Sequence, residues 1–224
     1  MNMLHYLPGC DVKKNHPQAL LAIQKYMQEK GAIIDQCCRN KDKFLEDHDI
    51  IIHNCTLCHL VLEETYPHTQ IMSLYEYILK DEHFPWVDHH GESITIQDCW
   101  RTRKNIALQT AIRQCLKKMN YTIVEMEDNY DKTKYCGVWL NNPPAKDCIE
   151  IAPKTFHDII ENHLHLLSQE EQVQQMQQWC QHYTTQQIAV YCNGCEKGIK
   201  LGGKQPLHMV ELLAEGLKPY IHSF

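Results

Sequence analysis

Apolar residues gather into two kinds of run along the chain. Short runs rich in β-branched side chains, within MLHYL, AIID, DIIIHN, SITIQD, YTIVEME and QIAVY, are bounded by turn or polar residues and predict strands. Longer stretches repeat apolar positions at helical spacing. Leu20, Ile23 and Met27 share one face of a helix opened by Asn15-His16-Pro17 and stopped at Gly31. Leu108, Ile112, Cys115 and Met119 share one face of another. Further helices are predicted at KDKFLED, HLVLEETY, MSLYEYIL and PLHMVELLAEGL.

The order of elements recurs. Strand, helix, strand and strand lead to MSLYEYIL, and the same sequence leads later to PLHMVELLAEGL, so the chain reads as an internal duplication of residues 1–88 and 89–224. Strands alternating with helices imply parallel sheets, because a crossover helix returns the chain to a parallel neighbour. The expected fold is α/β, with two pseudo-duplicated halves in tandem, each a short parallel sheet flanked by helices. An insertion at about 141–185 breaks the symmetry with a proline loop, NNPPAKD, a helix around KTFHDIIENHLHLL, and a glutamine-rich helix. Ser168 and Glu171 open that last helix in capping-box spacing.

Composition narrows the partners. The chain has 224 residues, 43% of them hydrophobic, and a formal charge of -6, which gives no attraction to nucleic acid or to an anionic membrane. The start MNMLHYLPGCDVKKNH lacks the pattern of a signal peptide, and no stretch reaches the roughly 20 apolar residues of a membrane span. A cytoplasmic location is expected. In that compartment twelve cysteines point to metal ligation or thiol chemistry rather than to disulfides.

The cysteines stand just beyond predicted strands, at the carboxyl ends where open parallel sheets bind ligands. The first half offers Cys10, Cys37, Cys38, Cys55 and Cys58, and the second Cys99, Cys136, Cys192 and Cys195. Four thiolates suit zinc or an iron-sulfur cluster equally, so the second set leaves both open. Five thiols with a vicinal pair favour a multinuclear cluster, because a single tetrahedral ion has no use for the fifth. Cys115 is expected in the core of its helix, with Cys148 and Cys180 also outside the ligand sets. His53 and His59 bracket the first CxxC, as candidate proton donors or as packing histidines. Arg39, Arg101, Arg103 and Lys197 stand beside the cysteines, to offset thiolate charge or to hold an anionic thiol.

The pattern PGC, then CC, then CxxC, repeated as DCW, YCG and CNGC, resembles the cysteine-rich CCG domain found in tandem in the catalytic subunit of heterodisulfide reductase and its relatives. The resemblance spans the chain from Cys10 to the final helix. It implies a non-cubane [4Fe-4S] cluster on Cys10, Cys37, Cys38, Cys55 and Cys58, with disulfide or thiol redox chemistry there. It also implies a ferredoxin-like or flavin-bearing partner as electron source, since the chain carries no flavin or nicotinamide motif. Two departures stand out. Arg39 follows the first pair where the family has glycine, and Tyr135 replaces the first cysteine of the second pair. The second half is therefore expected to hold a four-cysteine cubane [4Fe-4S] cluster on Cys99, Cys136, Cys192 and Cys195. The other readings are a non-catalytic iron-sulfur electron-transfer or binding subunit, a zinc-structural protein, and a metal-free dithiol oxidoreductase using the CxxC pairs.

Overall fold

The computed structural model describes residues 2–35, 38 and 45–221. The first half runs β1 (Leu4–Leu7), α1 (Cys10–Asn15), α2 (Pro17–Glu29), β2 (Ile33–Ile34), β3 (Ile50–His53), α3 (Thr56–Thr65), β4 (Gln70–Ser73) and α4 (Leu74–Ile78). The second runs β5 (Ser93–Ile96), α5 (Ile106–Lys118), β6 (Thr122–Glu125), α6 (Lys146–Ile151), α7 (Pro153–Asn162), α8 (Gln169–Cys180), β7 (Gln187–Val190), α9 (Asn193–Leu201), β8 (Leu207–His208) and α10 (Met209–Ile221).

Two four-stranded parallel sheets result, ordered β2-β1-β3-β4 and β6-β5-β7-β8. Their registers set Leu4 beside Ile50 and Ile52 beside Met72 in one, and Ile94 beside Ile123 and Val190 beside His208 in the other. The two orders are the same, so the duplication holds at the level of topology. Tyr6, Leu7, Ile51 and Ile52 are fully buried, as are Ile94, Ile96, Ile188 and Val190, because helices cover both faces of each sheet. The chain turns opposite ways from β1 to β2 and from β1 to β3. A crevice therefore opens at the carboxyl ends of β1 and β3, and likewise at those of β5 and β7.

The edge strands β4 and β8 correct the sequence reading. Met72 and Ser73, and likewise Leu207 and His208, end short strands, and the helices expected from MSLYEYIL and PLHMVELLAEGL begin only at Leu74 and Met209. Strands this short have no room for alternation, and the helical pattern directly behind them dominates the signal. Ser73 and Glu76 close a reciprocal capping box that fixes the boundary in the first half. A short helix, α1, which Cys10 opens, precedes the helix expected from Asn15-His16-Pro17. The helix α2 ends as expected, at Lys30-Gly31, and the Ser168–Glu171 capping box is present. Most of KDKFLED lies outside the described residues.

The halves interlock through their last helices. α4 packs on α5, and α10 packs on α2, so each half's closing helix completes the other half's core. In the first pair Cys115 lies fully buried, its thiol directed to the Tyr75 carbonyl at 3.8 Å. The exchange brings the carboxyl ends of the two sheets together. Asn15 Nδ2 donates to Asn193 Oδ1 at 3.1 Å, and Asn105 at the start of α5 meets His59 Nε2 at 2.9 Å. From the insertion, α7 lies against α3, where Glu64 accepts from the amides of Lys154 and Thr155 at 3.0 and 2.8 Å. Those are open amides of the first turn of α7, so a carboxylate there caps the helix and fixes it over the junction. None of the described helices is long and apolar enough to cross a membrane.

Candidate metal-thiolate sites

In the second half, four cysteines arrive from three strand ends. Cys99 follows β5 and opens a single turn of helix at Trp100–Thr102, and Cys136 follows β6. Cys192 follows β7 and caps α9, its Sγ accepting from the Cys195 amide at 3.4 Å. All four are buried, none above 3% exposure. Sγ of Cys99 lies 3.6 Å from Sγ of Cys136, and the sulfurs of Cys99, Cys192 and Cys195 lie within 4.8 Å of one another. This group can hold a metal. Four thiolates around one tetrahedral zinc at about 2.3 Å stand about 3.8 Å apart, a spacing close to the one found here.

Arg101 supplies the countercharge. Its Nε donates to Cys136 Sγ and its terminal nitrogen to Cys192 Sγ, both at 3.3 Å, while the guanidinium stacks 4.3 Å from the Trp139 ring centre. Burial opposes charge on all four thiols. At Cys136 and Cys192, hydrogen bonds from neighbouring thiols and the Arg101 charge outweigh it and hold the pKa values below normal. At Cys99 and Cys195 burial, reinforced by hydrogen bonds with neighbouring thiols, raises the values. The burial that raises Cys99 and Cys195 is a cost that a bound cation removes by taking the place of their protons. Tyr135 takes no part as a ligand. Its ring is buried with the hydroxyl directed to Met176 Sδ and the Cys195 carbonyl.

Two glycines allow the loops to meet. Gly137 has φ of 57°, and a Cβ there would stand 1.9 Å from the Gly194 carbonyl oxygen, so the loop carrying Cys136 lies backbone to backbone on α9. A Cβ on Gly9 would stand 2.8 Å from Cys55 Cβ in the first half, at φ of 76°. Both positions need left-handed backbone and close approach together.

In the first half, Cys10 follows β1, while Cys55 follows β3 and caps α3, with Cys58 in its first turn. The Cys58 thiol is within hydrogen-bonding reach of Cys38 and Cys55, and these contacts with burial raise its pKa. The hydrogen bond from Cys58 lowers that of Cys55, helped against burial by the Arg101 charge. Arg101 therefore acts on thiols of both sets. Cys38 and Cys58 are buried, but Cys10 and Cys55 are only half-buried, which makes this set the more open of the two. Cys37 and Arg39 lie outside the described residues. No described cysteine forms a disulfide, and Cys148 and Cys180 are buried.

A cleft of about 760 Å³ is lined by chain neighbours of cysteines from both sets. Asp11 and Leu57 line it from the first half, Gly194 and Lys197 from the second, and Arg101 reaches it from between. Its size falls among those of small-molecule sites. A smaller cavity of about 210 Å³ lies on the other side of Arg101, with His59 and Arg103 in its wall. Arg103 stacks 3.7 Å from the Trp100 ring centre rather than bonding a cysteine. His59 Nδ1 lies 3.1 Å from Nε2 of His53, and its other nitrogen lies 3.2 Å from Glu63. Burial and the neighbouring His59 push His53 well below the usual histidine range, so it is neutral.

Sequence reasoning missed two groups. One is Asp98, buried beneath Cys99, which accepts from both terminal nitrogens of Arg113 at 3.2 and 2.7 Å, from the Tyr191 hydroxyl at 2.8 Å and from the Tyr130 amide at 2.8 Å. Its position directly before a ligand cysteine was the available signal. The other is the set His16, Glu196, His208 and Glu211, whose members come from separate parts of the chain. No family model matches the chain, and neither a curated protein nor a solved structure matches it.

Proposed function

We propose that this chain is an iron-sulfur oxidoreductase that reduces or forms a disulfide or related sulfur bond at the first-half site, with a second four-thiolate centre behind it. The observation that carries this reading is the pair of cysteine sets at corresponding switch points, with one arginine acting on both and one cleft lined by their neighbours. The donor sets suit iron-sulfur ligation by type, being thiols gathered on strand-end loops. On the CCG resemblance, Cys10, Cys37, Cys38, Cys55 and Cys58 would hold a non-cubane [4Fe-4S] cluster, and Cys99, Cys136, Cys192 and Cys195 a second [4Fe-4S] cluster. Such clusters would supply one-electron transfer and an iron at which sulfur can bind.

The chain's own residues divide the remaining work. Splitting a disulfide takes two electrons and two protons and gives two thiols. The half-buried Cys10 and Cys55 put the first site within reach of a substrate, whereas the second is closed. Lys14, Lys197 and Lys200 line the cleft with Arg101, outnumbering Asp11 and Glu196, and suit a substrate with an anionic group. His59 is placed to move a proton between half-exposed Glu63 and the buried His53 ring beside Cys55. Electrons would come from a ferredoxin-like or flavin-bearing protein.

The sulfur spacing favours a second reading for the second site alone, a single zinc. Sulfurs 3.6 Å apart already suit one ion, while a four-iron cluster, in which each thiolate bonds a different iron, needs them farther apart. Metal analysis separates the two, since the first reading gives about eight irons per chain and the second about four with one zinc.

Two substitutions test the assignment of roles. With reduced donor and a small carboxylated disulfide, Lys197→Ala should raise KM several-fold and leave kcat nearly unchanged. An equal fall in kcat and kcat/KM would remove Lys197 from substrate binding. Arg101→Met should make the centres harder to reduce, because a positive charge beside the thiolates favours the added electron. Unchanged potentials at both centres in a redox titration would contradict the role given to Arg101.

A further inference from the structure

The interlock of the halves creates a cluster that the cysteine sites do not use. His16, at the corner between α1 and α2, is 4% exposed and has a carboxylate on each ring nitrogen. Nε2 lies 2.9 Å from Glu196 Oε2, and Nδ1 lies 2.8 Å from Glu211 Oε1. His208, at the end of β8 and fully buried, stacks beside it with ring centres 4.6 Å apart. Its Nδ1 accepts a long bond of 3.3 Å from the Val210 amide, and its Nε2 has no hydrogen-bond partner among the described residues. One ligand atom each from His16, Glu196 and His208 lie within 4.8 Å of one another.

The duplication provides an internal control. Glu196 follows Cys195 as His59 follows Cys58, His16 caps α2 as Asn105 caps α5, and His208 ends β8 as Ser73 ends β4. In the first-half copy the groups satisfy one another, Asn105 on His59 at 2.9 Å and Ser73 within its capping box. In the second copy two imidazoles and a carboxylate converge, and a buried ring nitrogen is left over. A buried polar atom without a partner is costly, and a cation removes that cost.

We propose that His16, Glu196 and His208 form a binding site for a divalent ion of the zinc type, tying the first half's α1–α2 corner to the second half's α9. Two imidazoles with one carboxylate are a recognised zinc donor set. Glu211 completes the outer layer, because its carboxylate accepts the Nδ1 proton of His16 and leaves the Nε2 lone pair for the metal. On binding, the proton that His16 shares with Glu196 leaves to solvent and the ion takes its place. Lys200 keeps its contact with the other Glu196 oxygen, Oε1, at 2.6 Å. At His208 the Nε2 proton passes to Nδ1, where the long Val210 contact is given up, and the freed Nε2 lone pair bonds the metal. The 760 Å³ cleft reaches the site on its Glu196 side.

The test is zinc uptake by the cluster-loaded protein after chelator treatment, compared with His208→Gln. Wild type should bind one more zinc per chain than the variant, with equal iron and sulfide in both. X-ray absorption of the additional zinc should show only nitrogen and oxygen ligands. Glu211→Gln should bind that zinc about tenfold more weakly. Equal zinc in wild type and His208→Gln, or sulfur among the ligands of the additional ion, would overturn the proposal. Should His208→Gln fail to fold, Glu196→Gln provides the same comparison, and the ligand set read from wild type stands on its own.

Discussion

Replacing Gly137 with alanine should empty the second metal site and lower stability together. The residue holds φ of 57°, where a side chain costs about 1 kcal/mol. The added methyl would also stand 1.9 Å from the Gly194 carbonyl oxygen, inside the helix turn that carries Cys192 and Cys195. Relief requires the Cys136 loop to lift from α9, and overpacking of this kind typically costs about 1–3 kcal/mol. The same movement carries Cys136 Sγ away from Cys99 and from the Arg101 Nε that it accepts from. The expected outcome is a folded protein that retains the metal of its first site and has lost that of its second. Full metal content in Gly137→Ala would show that the loop and helix are not held as closely as described.

Asp98→Ala should cost more in stability than any cysteine substitution. Asp98 is buried and joins Arg113, Tyr191 and the Tyr130 amide, and Arg113 is itself only 4% exposed. Removing the carboxylate leaves the guanidinium with the Gln109 carbonyl at 3.0 Å and, as its remaining carboxylate among the described residues, Glu125 at 2.7 and 2.6 Å, on a side chain 37% exposed. Breaking a buried ion pair from one side costs about 3–5 kcal/mol, which for a chain of this size lowers Tm by roughly 10 °C. Metal uptake at the second site should fall as well, since the Tyr191 hydroxyl fixed by Asp98 accepts from the Cys99 amide at 3.2 Å. Thermal unfolding of Asp98→Ala beside Asp98→Asn measures this. The amide keeps the shape and part of the hydrogen bonding, so its loss should be the smaller.

The cysteine loops were readable because a strand run and a following cysteine lie next to each other in the chain, and parallel sheets collect such loops at one end. The duplication was readable for the same reason, as Cys10, Cys38, Cys55 and Cys58 return in order as Cys99, Cys136, Cys192 and Cys195. What escaped depends on long-range placement. β4 and β8 are edge strands defined by pairing with β3 and β7 rather than by their own pattern. The exchange of α4 and α10 between halves has no local signature, because an amphipathic helix does not say which surface it covers. His16, Glu196, His208 and Glu211 meet only through that exchange, which is why four ordinary polar residues became a cluster. Arg101 was readable as charge beside a cysteine, but its reach to Cys55 and Cys192 alike required the two sheet ends to face each other.

The central claim, that the cysteine loops hold iron and sulfide, is tested most directly by metal and acid-labile sulfide analysis of protein purified without oxygen. The account predicts a brown protein with about eight irons per chain, and sulfide in similar amount. Colourless protein carrying only zinc would contradict it.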